Sequence, residues 1–97
     1  MEEIIVNRMN EFLRGDAESE DPELKVGILK AKGLSVEQLA RRIGVTRTSV
    51  YFYLNKTKQP SLDTLVKLSE FTGIPLATVL TYCTPREPHS TGRRRNA

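Results

Sequence analysis

Val36-Glu-Gln-Leu-Ala-Arg-Arg-Ile-Gly-Val-Thr-Arg-Thr-Ser-Val-Tyr-Phe-Tyr-Leu-Asn55 is the stretch that decides the fold. Apolar residues recur at helical spacing on both sides of Gly44, and a capping residue stands before each run: Ser35 before the first and Thr46 before the second. Ala40 is small where a second helix must cross close to the first, and Gly44 can take the positive φ that a tight turn between steeply crossed helices requires. Leu39, Val45, Val50 and Tyr53 are expected to lock the pair from inside. Arg47, Thr48, Tyr51 and Phe52 then share the opposite face of the second helix, pointing away from the domain.

The chain on either side is punctuated as densely. Asp21-Pro22 resembles an N-cap with proline in the first turn, predicting a helix from about Pro22 to Lys32 with Leu24, Ile28 and Ala31 on one face, ended by Gly33. Ser35 with Gln38 completes a capping-box pattern for the next helix. Asn55-Lys-Thr-Lys-Gln-Pro60 reads as a polar loop, and Ser61 caps a helix with the stripe Leu62, Leu65, Val66, Leu68 and Phe71. Gly73 ends that helix, Pro75 starts a short one, and Leu76, Val79 and Leu80 turn inward. No strand-like alternation is present, so the reading is all-α: five short helices in one compact bundle over residues 23–83.

An extra amphipathic helix is predicted within residues 1–14, where Ile4, Ile5, Met9, Phe12 and Leu13 form a stripe opposite Glu2, Asn7, Asn10, Glu11 and Arg14. Residues 15–22 read as an acidic, solvated linker, and residues 84–97 as a basic tail composed like a disordered segment. The net charge of +3 conceals a segregation, since residues 1–22 carry −5, residues 23–83 carry +5 and residues 84–97 carry +3. A basic middle and end with an acidic head fit a polyanionic partner for the domain and tail only. The N-terminal stripe can pack on the bundle or pair with its mate in a dimer. The acidic head would be repelled from a polyanion, which favours dimer or partner contact.

Composition excludes several classes. Apolar runs such as Ile4-Ile5-Val6 are far too short for a membrane span or a secretory signal. A single cysteine, Cys83, cannot form an internal disulfide and suits a reducing cytosol. With one histidine, His89, it also excludes the usual zinc-finger ligand sets. Serine–histidine catalysis would need His89, which lies in the Pro/Ser/Gly-rich tail with nothing to orient it, so no enzyme is expected. No cofactor, metal or small-molecule ligand is expected, and Cys83 and His89 are read as functionally silent.

These residues resemble the Cro/C1-type helix-turn-helix family of phage repressors and Xre-like regulators, with a lambda-repressor-like DNA-binding domain. The resemblance runs from about Leu24 to Leu80, including Leu54-Asn-Lys-Thr-Lys-Gln-Pro-Ser-Leu-Asp-Thr-Leu65 as the loop into the next helix and Gly73-Ile-Pro-Leu-Ala-Thr-Val-Leu80 as the start of the last. It implies a cytoplasmic, bacterial or phage-encoded transcription regulator, more often a repressor. Such a protein binds a double-stranded DNA operator as a homodimer on inverted half-sites, with the helix over residues 46–54 in the major groove. Arg47, Thr48 and Phe52 align with base-reading positions and Tyr51 shares their face; Arg47 suits guanine O6/N7, and Thr48 and Phe52 suit thymine methyls. Ser35, Thr46, Ser49, Asn55, Lys56, Lys58 and Gln59 are the expected phosphate contacts.

The sequence also departs from the family. Val36 stands where many relatives carry a phosphate-clamping glutamine, leaving backbone N–H groups and the helix dipole there. Leu29 and Leu54 stand where many pair opposite charges, which predicts apolar packing instead. Residues 1–14 or 73–82 are the candidate protein interfaces, and with no room for a sensing domain, control is expected through protein level or a partner. The competing reading is a protein-interaction module of antitoxin or adaptor kind that uses the same fold and its aromatic face.

Overall fold

The computed structural model describes residues 5–86, and every regular element among them is helical. In chain order these are α1 (Met9–Arg14), α2 (Pro22–Val26), α3 (Ile28–Lys32), α4 (Val36–Ile43), α5 (Arg47–Leu54), α6 (Leu62–Thr72) and α7 (Leu76–Tyr82). The α4–α5 pair packs through α4 onto α6, α6 packs onto α7, and α1 closes the far side against α3, α5 and α7.

The single helix expected over Pro22–Lys32 is two helices. Gly27 interrupts it at φ 95°, ψ 144°, and an added Cβ there would lie 2.4 Å from the carbonyl carbon of Arg14 and 2.6 Å from Gly15 N and Leu13 O. The end of α1 lies directly on this glycine, a long-range contact that periodicity cannot reveal. The break also shifts the helical phase, so Ile28 stays buried while Ala31, expected inside, is exposed.

Local punctuation fixes the remaining ends. Ser35 and Gln38 form the reciprocal capping box: Gln38 N donates to Ser35 Oγ at 3.1 Å, and Ser35 N donates to Gln38 Oε1 at 2.9 Å. Thr46 accepts from Ser49 N, and Ser61 accepts from Thr64 N. Gly44 ends α4 at φ 75°, turning the chain into α5.

Leu39, Ala40, Ile43, Val50, Tyr53, Leu54, Leu65, Leu68 and Val79 are buried in one core, with Leu29, Val36, Val45 and Phe71 half-buried against it. Leu29 and Leu54 therefore both take part in apolar packing, as expected. Leu62, expected in the α6 stripe, is instead 49% exposed. It lies about 110° round the helix from the centre of the buried face formed by Thr64, Leu65, Leu68 and Thr72.

The N-terminal stripe packs on the bundle. Met9, Phe12 and Leu13 are fully buried, and Phe12 meets Tyr82 edge to face with ring centroids 5.3 Å apart. Burying three such side chains contributes on the order of 5 kcal/mol before entropy is counted, so this face is not free for a partner. Residues 5–8 lie outside any helix, Ile5 is 62% exposed, and Ile4 lies outside the described residues.

Residues 17, 18 and 20–22 are exposed, but the segment is anchored to the bundle at one acid. Asp16 is buried: Tyr82 OH donates to its Oδ2 at 2.6 Å, Arg8 Nη2 lies 3.4 Å from the same oxygen, and Glu18 N donates to Oδ1. The Arg8 guanidinium also covers the Tyr82 ring at 4.9 Å. The Tyr82 hydrogen bond, with help from Glu18 N and Arg8, holds the Asp16 carboxyl below its ordinary value of 3.8, and burial with the same bond raises Tyr82. The folded state therefore binds fewer protons than the unfolded chain as pH falls, and the latch's contribution, present above the ordinary carboxylate range, is lost in acid. Thermal melts should show a midpoint that drops below about pH 4, and Asp16→Asn should lower the midpoint at pH 7 while flattening that acid dependence.

Candidate nucleic-acid interface

α5 is held from behind and open in front. Val50, Tyr53 and Leu54 face the core, while Arg47, Thr48, Tyr51 and Phe52 are all exposed on its other face, the two aromatics at 42% and 41%. At about 100° per residue, positions 47, 48, 51 and 52 form one continuous patch. Arg47 makes no ion pair among the described residues, whereas Arg41 is tied to Glu37 at 3.3 Å and Lys67 to Asp63 at 3.6 Å. From Gln38 to Leu62 the chain carries five bases and no acid, so the sequence on either side of the patch is basic.

At the start of α5, Thr46 Oγ1 donates to Ser49 Oγ at 3.0 Å, leaving the Ser49 hydroxyl hydrogen available outward. Ser35 is exposed at the start of α4, its oxygen already accepting the capping bond. At the other end, Lys58 Nζ lies 5.7 Å from the Phe52 ring centroid, extending the patch as a cation on an aromatic rim. Asn55, Lys56 and Lys58 are exposed along the loop. Gln59 differs from them, being half-buried, and its Nε2 donates to Thr84 O at 2.5 Å. An extended polar side chain was legible at that position, but not the carbonyl from residue 84 that captures it.

Lys56 carries a conformation its residue type does not explain. Thr57 N donates to Phe52 O and Lys56 N to Tyr53 O, the hydrogen-bond pattern of a left-handed helix stop, and Lys56 has φ +65°. Among the described residues it is the one non-glycine with positive φ. A glycine there would relieve backbone strain, so Lys56→Gly should raise stability by up to about 1 kcal/mol. If the lysine is retained for a phosphate, the same substitution should reduce duplex affinity and lower the slope of log K against log salt by about 0.9. Paired melts and salt titrations read both changes; affinity that rises with stability would contradict a phosphate role.

Cys83 is buried against the N-terminal segment, and burial pushes its thiol up to about 11, so it is un-ionised at neutral pH. No helix among the described residues is long and apolar enough to cross a membrane.

A short helix, a glycine turn and a second helix with a bare basic and aromatic face define the helix-turn-helix class. The family's sequence profile, described as helix-turn-helix, matches residues 28–79, and the chain belongs to this Cro/C1-type family, a DNA-binding rather than an enzymatic one. A Methanocaldococcus jannaschii protein named "Putative HTH-type transcriptional regulatory protein" is 39% identical over 49 residues, which is 50% of this chain and 15% of that protein. The chain thus corresponds to a small part of that relative's length. No solved structure matches it.

Proposed function

We propose that the chain is a sequence-specific, double-stranded DNA-binding regulator of transcription, a repressor that inserts α5 into the major groove. The observation carrying this reading is the exposed face of α5: Arg47, with no ion pair among the described residues, and Thr48 at its start, Tyr51 and Phe52 one turn on, set in an acid-free basic stretch. Arg47 grips guanine O6/N7, and Thr48 and the Phe52 ring lie against thymine methyls. Ser35, Thr46, Ser49, Asn55, Lys56 and Lys58 hold phosphates and set the register. The protein acts as a homodimer on inverted half-sites about one helical turn apart. Since the apolar stripe of α1 is used within the chain, residues 73–82 are the dimer contact this reading favours, with half-buried Leu76 and Leu80 at the surface. The cytoplasm, where a lone thiol stays reduced, is its site of action.

Selection of bound sequences from a random duplex pool tests the reading. It should return an inverted repeat with a guanine in each half-site. Recovery of no preferred sequence, or binding that does not weaken between roughly 50 and 200 mM salt, would instead support the aromatic face as a protein-docking surface.

A further inference from the structure

Three extended pieces of chain meet at the exit of α5. Residues 5–8 run antiparallel to residues 82–84: Thr84 N donates to Val6 O at 2.8 Å, Val6 N to Thr84 Oγ1 at 3.0 Å, and Arg8 N to Tyr82 O at 2.6 Å. The C-terminal piece then runs beside the end of the loop, where Arg86 N donates to Pro60 O at 2.7 Å. This corrects the expected boundary at residue 84, because Thr84–Arg86 is stitched into the domain; residues 87–97 lie outside the described part. Two uncharged side chains fasten the pieces to the loop itself. Asn7 Nδ2 donates to Lys58 O at 3.2 Å, and Gln59 Nε2 donates to Thr84 O. Asn7 Oδ1 also accepts from Met9 N at 3.3 Å, so one amide touches both the first residue of α1 and the loop. Apart from the loop, all of this lies outside residues 28–79, the part matched by the family.

We propose that this clasp is a positioning device for DNA binding, in which Asn7 and Gln59 fix the course of the 55–60 loop so that Lys56 and Lys58 meet phosphates at a set distance from α5. The inference rests on the DNA-binding reading above. A loop ordered before binding loses less conformational entropy when it meets the duplex, so its lysines contribute more of their charge interaction to affinity. Neither Asn7 nor Gln59 bears a charge. A change in counterion release on altering them therefore reports charges that the clasp positions, Lys56 and Lys58 nearest α5 among them.

The test uses the full chain with Asn7→Ser and Gln59→Ala, singly and together. Serine keeps an oxygen for Met9 N but is too short to reach Lys58 O, so the start of α1 is preserved. Amide hydrogen exchange without DNA should quicken at least about tenfold at Lys56 and Thr57, whose N–H groups are hydrogen-bonded to Tyr53 O and Phe52 O, and stay unchanged in α4 and α6. Affinity for the best selected duplex and for a random duplex should fall by the same factor, about three- to tenfold, with base preference intact. The salt slope should drop by about 0.9 for each phosphate that the lysines no longer reach. Unchanged loop exchange would overturn the proposal, as would faster exchange with an unchanged salt slope, the outcome expected of a merely structural clasp. If the unaltered chain binds no duplex, the DNA reading itself fails, and the exchange data alone then report whether the clasp holds the loop.

Discussion

Gly27→Ala is expected to remove a large share of the domain's stability, where Gly33→Ala removes little of it. Both glycines have positive φ, 95° and 67°; at Gly33 the left-handed conformation costs a replacement roughly 1–2 kcal/mol, and at Gly27, where ψ is 144°, it costs more because that region is essentially reserved for glycine. They differ in what the new methyl group meets. Nothing lies within 4 Å of a Cβ on Gly33, whereas at Gly27 three backbone atoms of residues 13–15 lie at 2.4–2.6 Å. Backbone cannot rotate away as a side-chain tip can, so α1 must lift off and expose Met9, Phe12 and Leu13. Losing that packing with the φ penalty costs about 4 kcal/mol or more, a large share of the roughly 5–10 kcal/mol expected for a domain of this size. Circular-dichroism melts should show the midpoint falling by more than about 15 °C for Gly27→Ala and by less than about 10 °C for Gly33→Ala. Equal losses would mean that α1 is not seated on Gly27.

The second large effect concerns DNA and should leave stability untouched. Arg47→Ala removes an exposed side chain with no ion pair among the described residues, so the melting midpoint should move by no more than about 0.5 kcal/mol would shift it. A bidentate arginine–guanine pair carries about 1–3 kcal/mol of discrimination, so affinity for the selected duplex should drop roughly 5- to 150-fold. Preference should relax at one base pair of each half-site, while random-duplex affinity falls only by the loss of one charge. Fluorescence anisotropy on matched and singly substituted duplexes separates the two. A uniform loss over all sequences would demote Arg47 to a phosphate contact.

What the sequence made legible was chemistry acting over a few residues. Ser35 with Gln38, Thr46, Ser61 and the glycines at 33, 44 and 73 each act within one turn of chain, and each ends or begins a helix where expected. The burial of Leu39, Val50 and Tyr53 and the exposure of Arg47, Thr48, Tyr51 and Phe52 follow from helical spacing once those ends are fixed. What escaped was set by partners distant in sequence. Gly27 falls inside the single helix expected over Pro22–Lys32, because residues 13–15, which forbid a side chain there, carry no signal of that contact. Asp16 read as one more acid in a solvated run, since its partner Tyr82 lies 66 residues away. Gln59 read as an outward contact for the same reason, its acceptor being the carbonyl of Thr84.

The account turns on one face of α5 entering the groove of a specific duplex. Titrating the isotopically labelled chain with the selected duplex, and following backbone and side-chain resonances, tests this most directly. The account predicts that the largest shifts and intermolecular contacts fall on Arg47, Thr48, Tyr51 and Phe52, with smaller shifts at Ser35, Thr46, Ser49 and residues 55–58 and little change on α1. Contacts concentrated on α7 or α1, with Arg47 and Phe52 undisturbed at saturation, would contradict it.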